Sequence, residues 1–152
     1  MRGLIKKGID VYLSCKTFTS DRKLLVIESD DWGSLRTKNK TILKHLNVIS
    51  SAVKKDSYTQ LDSIASAEDL LALFDVLNSV KDFKGNPASL TANVCTANPN
   101  FDVIKATSFQ EFYYKPFTET LDEYSSNKKL LNLWKEGEHQ NLFKPQLHGR
   151  EH

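Results

Sequence analysis

Apolar residues follow two different spacings along the chain, and the two spacings alternate. Residues 24–27 form a short, unbroken apolar run, which is typical of a buried strand. Residues 88–95 and 143–147 predict a second and a third strand. Apolar residues at helical spacing precede the first strand and separate the strands from one another. They are Leu4, Ile5, Ile9, Tyr12 and Leu13; Ile42, Leu46, Ile49 and Val53; Leu70, Leu73, Phe74 and Leu77; and Leu130, Leu131 and Trp134.

Local signals mark where several of these elements begin and end. Residues 66–69, Ser-Ala-Glu-Asp, have the spacing of a capping box and predict the start of a helix. Gly85 and Pro87 predict its end, and residues 96–100 indicate a polar turn after the second strand. An aromatic connection follows, which either covers the core or lines a groove of the size of a sugar. Its aromatic residues are Phe109, Phe112, Tyr113, Tyr114 and Phe117.

The alternation of helices and strands favours parallel strands joined by right-handed helical crossovers. The predicted fold is therefore of the α/β class, a barrel or an open sheet, and not a helical bundle or a β-sandwich. The chain has no repeats, low-complexity tracts or linkers, and its 152 residues suit one domain spanning residues 1–152.

Composition excludes several classes of protein. Lysine and arginine outnumber aspartate and glutamate by only 21 to 19, and no basic stretch is interleaved with aromatics, so we expect no nucleic-acid partner. The two cysteines, Cys15 and Cys95, lie far apart and indicate no disulfide framework, which favours a cytoplasmic location. The N-terminus lacks the apolar run of a secretory signal, and no apolar run approaches the ~20 residues that span a bilayer.

Candidate chemistry lies at the ends of the first and third predicted strands. Asp30 and Asp31 follow the first strand, where packing alone would not place carboxylates. His148 and His152 follow the third strand, four residues apart, so both imidazoles would reach one ion if the segment were helical. A parallel sheet brings these strand ends to the same edge. Two histidines and one carboxylate are typical ligands of a catalytic zinc, and the second carboxylate is then available as a base.

These residues resemble two motifs of one enzyme family. Ser29-Asp30-Asp31-Trp32-Gly33 resembles the Thr-Phe-Asp-Asp-Gly motif of the polysaccharide deacetylase superfamily, also called the NodB-homology family or carbohydrate esterase family four. The segment from His148 to His152 resembles its His-Ser/Thr-x-x-His motif. The resemblance extends over the chain as the first part of a distorted (β/α) barrel. It implies a hydrolase that removes acetyl groups from an acetylated carbohydrate by means of a metal-bound water.

The resemblance also assigns roles to the residues. It implies that Asp30 is the catalytic base and that Asp31, His148 and His152 bind a divalent metal, most simply Zn²⁺, with Co²⁺, Ni²⁺ and Mn²⁺ left open. Trp32 stands where the superfamily has a glycine, which is displaced to the next position.

Two residues are candidate substrate contacts. Trp32 either stacks on a sugar ring or packs in the core. Asn98, in the predicted polar turn, is the second candidate substrate contact. Gly149 stands where the superfamily has a small hydroxyl residue.

The superfamily's later motifs are not found in the chain. These are an arginine that orients the base, an apolar wall and a Leu-x-His segment that carries the general acid. His45 and His139 lie on polar helical stretches and are predicted to be surface histidines. We therefore expect a barrel truncated after its third strand, with little or no turnover alone, whose open edge is covered by a missing C-terminal part or by another copy. A natural half-barrel and a non-catalytic carbohydrate- or metal-binding module are the alternatives.

Overall fold

The computed structural model describes residues 20–125 and 129–151, so the predicted first helix and His152 lie outside the described residues. Five strands are present in this part of the chain: β1 (Glu28–Trp32), β2 (Leu90–Cys95), β3 (Ala97–Pro99), β4 (Tyr114–Pro116) and β5 (Phe143–Gly149). The helices are α1 (Lys40–Ile49), α2 (Ser51–Lys55), α3 (Ser57–Leu61), α4 (Ala67–Ser79), α5 (Phe101–Ala106), α6 (Phe117–Tyr124) and α7 (Lys129–His139).

The central element is a three-stranded parallel sheet in the order β1-β2-β5. Its strands are separated in sequence by helices, so the predicted α/β class with parallel strands and helical crossovers is confirmed. The barrel type stays a prediction. β3 and β4 form a separate antiparallel pair next to the end of β2. No helix of the described residues is long and apolar enough to cross a membrane.

The core forms where α7 contacts α4, α6 and β5. The predicted capping box at Ser66 and Asp69 is present at the start of α4, in which each residue's side chain accepts a hydrogen bond from the other's backbone N–H. Helical spacing then brings Leu70, Phe74 and Leu77 onto one buried face. On β2 the buried residues alternate with partly exposed ones, so one face of the sheet covers the core and the other carries polar side chains.

Phe143 lies at the centre of an aromatic cluster. Its ring is fully buried, with its centroid 4.8 Å from that of Trp32, 5.0 Å from Trp134 and 6.2 Å from Phe74. The helix α7 approaches this cluster closely because Gly137 has no side chain. A Cβ at that position would lie 2.4 Å from the Phe74 ring and 3.0 Å from the Phe143 Cβ. Gly137 is therefore a packing residue in the last turn of α7.

The first strand begins later than its apolar pattern predicts. Residues 24–27 precede β1 and are exposed, Leu25 by 86%. The register explains this difference, since Glu28 is paired with Thr91 and the neighbouring strand begins one residue earlier, at Leu90. Ile27 still accepts a backbone hydrogen bond from Thr91, whereas the residues before it extend past the start of β2. The prediction of a buried strand at 24–27 is wrong for this reason.

Three other boundaries also differ from the predictions. The helix predicted through residues 42–53 is split at Ser50, whose hydroxyl accepts from the Val53 N–H and starts α2. The helix α4 ends at Ser79, before Gly85, because residues 82–86 form a turn held by the Asp82 carboxylate. The predicted turn at 96–100 contains β3, whose pairing partner is 17 residues further on, at Tyr114–Pro116.

Candidate functional site

An irregularity in β1 brings the two adjacent aspartates to one face of the sheet. Neighbouring residues on a regular strand point to opposite faces. Here the pairing register shifts between Ser29 and Trp32, and Asp31 adopts a positive φ of 63°. The Asn93 Nδ2 donates to the Asp30 Oδ1 at 2.7 Å, and the Cys95 Sγ lies 3.9 Å from the Asp31 Oδ1. Asn93 and Cys95 are two residues apart on β2, so both carboxylates lie on the same face.

Asp31 also meets His148, which comes from the other outer strand of the sheet. The His148 Nε2 lies 3.5 Å from the Asp31 Oδ1. The Asp31 side chain is 22% exposed and the His148 side chain is 42% exposed, so water reaches both. Contrary to the helical geometry considered for this segment, His148 lies on a strand, β5. The parallel sheet thus brings one of the predicted aspartates close to one of the predicted histidines, across the central strand β2.

The spacing of these two atoms suits a shared metal ion. Ligand atoms bound at about 2.0–2.1 Å in a tetrahedron lie about 3.4 Å from one another. This is close to the 3.5 Å that separates the Asp31 Oδ1 from the His148 Nε2. Within residues 20–125 and 129–151, no group of three or more His, Cys, Asp or Glu is arranged to hold a metal. The third predicted ligand, His152, lies outside the described residues, so the predicted ligand set is present in part.

Arg36 and Asp62 border the site, and neither was predicted from the sequence to be a site residue. The Arg36 Nη2 donates to the Asp31 Oδ2 at 3.2 Å, and the Arg36 Nε donates to the Asp62 Oδ2. These contacts raise the pKa of the Arg36 guanidinium, chiefly through the hydrogen bond to Asp62. The only signal for Arg36 in the sequence is that it lies five positions after Asp31, and this spacing is too common to predict a site.

The Cys95 thiol is a buried neighbour of Asp31 and not a nucleophile. Burial raises its pKa, and the nearby Asp31 carboxylate raises it further. The thiol therefore stays protonated at neutral pH, and a protonated thiol neither attacks carbonyls nor binds metals well.

Trp32 is part of the core. Its ring meets those of Trp134 and Phe143 edge-on, with centroids 6.1 Å and 4.8 Å away. Of the two roles considered for Trp32, packing is therefore the one that these contacts support, and stacking on a sugar stays a prediction. Its indole Nε1 is buried and has no hydrogen-bond partner among the described residues.

Asn98 is buried, with 1% of its surface exposed, and supports the loop after β1. Its Oδ1 accepts from the Leu35 N–H at 2.7 Å, and its Nδ2 donates to the Gly33 carbonyl at 2.8 Å and to the Thr120 hydroxyl at 3.1 Å. Every hydrogen-bonding atom of the amide is thus engaged within the protein. The geometry places Asn98 beneath the loop and does not support the predicted direct contact with substrate.

Replacing Asn98 with alanine will destabilise the protein by about 2–4 kcal/mol, because it leaves a buried N–H, a carbonyl and a hydroxyl without their partner. Urea unfolding followed by circular dichroism measures this change. Asn132→Ala, on the exposed face of α7, is the matched control and will change the free energy of unfolding by less than about 0.5 kcal/mol. Equal effects of the two substitutions would contradict the supporting role of Asn98.

A cavity of about 690 Å³ opens beside the two aspartates. It lies between the end of β1 and the segment that contains α3, and it is large enough to hold part of an oligosaccharide. Its polar lining includes Asp30, Asp31, Arg36, Asp56, Tyr58 and Asp62. Its apolar lining includes Trp32, Ile64, Leu121 and Trp134.

His45 and His139, the two other histidines of the chain, are both exposed, as predicted. They lie on α1 and at the end of α7. Their exposure agrees with their assignment as surface residues.

No family model, curated protein or solved structure matches this chain. The interpretation of the site therefore depends on its own residues and on their geometry.

Proposed function

We propose that this site binds a divalent metal ion, Zn²⁺ in the first instance, and that the chain is a polysaccharide-deacetylase-like hydrolase acting on an acetylated carbohydrate. The observation that carries the proposal is the 3.5 Å approach of Asp31 and His148 from separate strands. Asp30, on the same face of the sheet, is the second supporting observation. The motif resemblance supports the reaction type, and the closeness of Asp31 and His148, with Asp30 on the same face of the sheet, supports the metal site.

Each residue of the site has its own role in the proposed reaction. Asp31 and His148 would hold the metal, with His152 as a further ligand. When bound, the metal supplies Lewis-acid activation of a water molecule and of the acetyl carbonyl. Asp30 accepts the proton of the attacking water. Its Oδ1 is held by Asn93, and its Oδ2 has no hydrogen bond among the described residues.

The proposal is tested by acetate release from N-acetylated and O-acetylated sugar oligomers, with and without added Zn²⁺. Because no general acid is assigned, we expect slow release that requires the metal. Asp30→Asn will lower it by about 100-fold or more, since a positioned base contributes about 10²–10⁴-fold. Metal affinity will be unchanged in this variant.

Asp75→Asn, on the exposed face of α4, is the matched control and will release acetate at the wild-type rate. Equal rates for Asp30→Asn and wild type would contradict the role of Asp30 as the base. Failure of the wild-type chain to bind Zn²⁺ would contradict the proposal as a whole.

A non-catalytic carbohydrate-binding module is the second candidate, and the exposed aromatic residues that lead into β4 favour it. Phe109, Phe112 and Tyr114 are all largely exposed, Phe109 by 74%. The Arg150 guanidinium lies 4.9 Å from the Tyr114 ring centroid. Exposed aromatic rings of this kind can stack on sugars. Sugar binding without acetate release would favour this second function.

A further inference from the structure

Arg36 connects the candidate metal site to the helical segment beside it. Its Nη2 donates to the Asp31 Oδ2 at 3.2 Å, and its Nε donates to the Asp62 Oδ2. The guanidinium carbon also lies 5.6 Å from the centroid of the Tyr58 ring. The Arg36 side chain is 19% exposed, so its contacts are partly shielded from water.

The two carboxylate oxygens of Asp31 have different partners. Oδ2 accepts from the Arg36 Nη2, whereas Oδ1 lies 3.5 Å from the His148 Nε2 and 3.9 Å from the Cys95 Sγ. A carboxylate ligand can bind a metal through one oxygen or through both. The guanidinium holds Oδ2. Oδ1 is therefore the oxygen that faces the place where a metal ion bound to the His148 imidazole would lie.

Asp62 gives Arg36 a fixed support. It lies at the C-terminal end of α3, where its backbone N–H donates to the Tyr58 carbonyl at 2.8 Å. The planar guanidinium bonds to Asp31 and Asp62 through different nitrogens, which restrains its orientation as well as its position. A lysine ammonium carries the same charge but lacks this fork.

We propose that Arg36 is a positioning residue that orients the Asp31 carboxylate for metal binding through Oδ1, and that Asp62 in turn holds Arg36. This inference rests on the proposed metal-binding function. Partners that orient metal ligands typically change metal affinity by about 10–100-fold. The ion pair with Asp62 offsets the positive charge of Arg36, so loss of orientation outweighs the removal of a cation near the metal.

The test is titration of the 152-residue chain and its variants with Zn²⁺, followed by calorimetry, and with Co²⁺, followed by visible absorption. Arg36→Gln and Arg36→Lys will both weaken Zn²⁺ binding by about 10-fold or more. Both will change the Co²⁺ absorption bands, which report ligand geometry. Asp62→Asn will have a smaller effect in the same direction. Lys38→Gln, which removes an exposed ion pair with Asp102, is the matched control and will bind as wild type does.

The outcomes separate this inference from the function on which it rests. If the wild-type chain binds Zn²⁺ and Asp31→Asn does not, while both Arg36 variants bind as wild type does, the positioning role is overturned and the metal site stands. Tighter binding by Arg36→Gln would also overturn it, because charge would then matter more than orientation. Absence of Zn²⁺ binding by the wild-type chain would overturn both proposals. Unfolding temperatures of all variants distinguish loss of affinity from loss of fold, and Asp62→Asn provides the test if an Arg36 variant does not fold.

Discussion

Replacing Asp31 with asparagine will lower the affinity of the chain for Zn²⁺ by more than about 100-fold, because loss of a ligand costs more than loss of its supporting partner, which costs about 10–100-fold. The amide preserves the shape of the side chain but removes the negative charge that attracts the cation. Asp31 also makes several contacts at the site, with His148, Cys95 and Arg36. Isothermal titration calorimetry with Zn²⁺ measures the change.

Asp75→Asn is again a suitable control, because it makes the same chemical change on an exposed helix. It will bind Zn²⁺ as tightly as the wild-type chain. The prediction fails if Asp31→Asn retains affinity within about threefold of wild type, which would place any metal site elsewhere. His148→Ala will weaken binding in the same way as Asp31→Asn if the two residues share one ion.

The largest effect on stability is expected at Phe143. Replacing this fully buried residue with alanine will destabilise the fold by about 3–5 kcal/mol, because it removes ring contacts with Trp32, Trp134 and Phe74 and leaves a cavity. For a chain of this length the melting temperature will fall by about 10 °C. Thermal unfolding followed by circular dichroism measures the change.

Phe83→Ala is the matched control, because Phe83 is exposed and lies in the turn between α4 and β2. We expect its melting temperature to stay within about 2 °C of wild type. Since β5 carries both Phe143 and His148, the Phe143 variant will also bind Zn²⁺ less tightly near its melting temperature. A Phe143 variant as stable as the control would show that the aromatic cluster does not hold the sheet to α7.

The helices and strands that depend on local signals were predictable from the sequence. The capping box at Ser66 and the apolar spacing of Leu70 and Phe74 predicted α4, because both act within one or two turns of helix. The boundary of β1 was not predictable in this way. Its start is determined by the register with Thr91, 63 residues away, and an apolar run does not reveal where its neighbour begins.

The candidate site was predictable at the level of strand ends but not in its detailed geometry. Parallel strands bring Asp31 and His148 to one edge, and this followed from the order of the elements. The burial of Asn98 did not follow, because the sequence around it has the composition of a turn and its partners lie in distant segments. Nor did the contacts of Arg36 with Asp31 and Asp62, since a basic residue near an aspartate most often forms an exposed ion pair.

The irregular register of β1 sets a condition for any transfer of this carboxylate pair to another protein. Two consecutive aspartates grafted onto an ordinary parallel strand would diverge, with one in the solvent-facing layer and the other in the hydrophobic interior. The host would need the same backbone departure, with a left-handed conformation at the second aspartate like the φ of 63° at Asp31. Engineering of such a site therefore begins with the shape of the main chain, and the side chains come second.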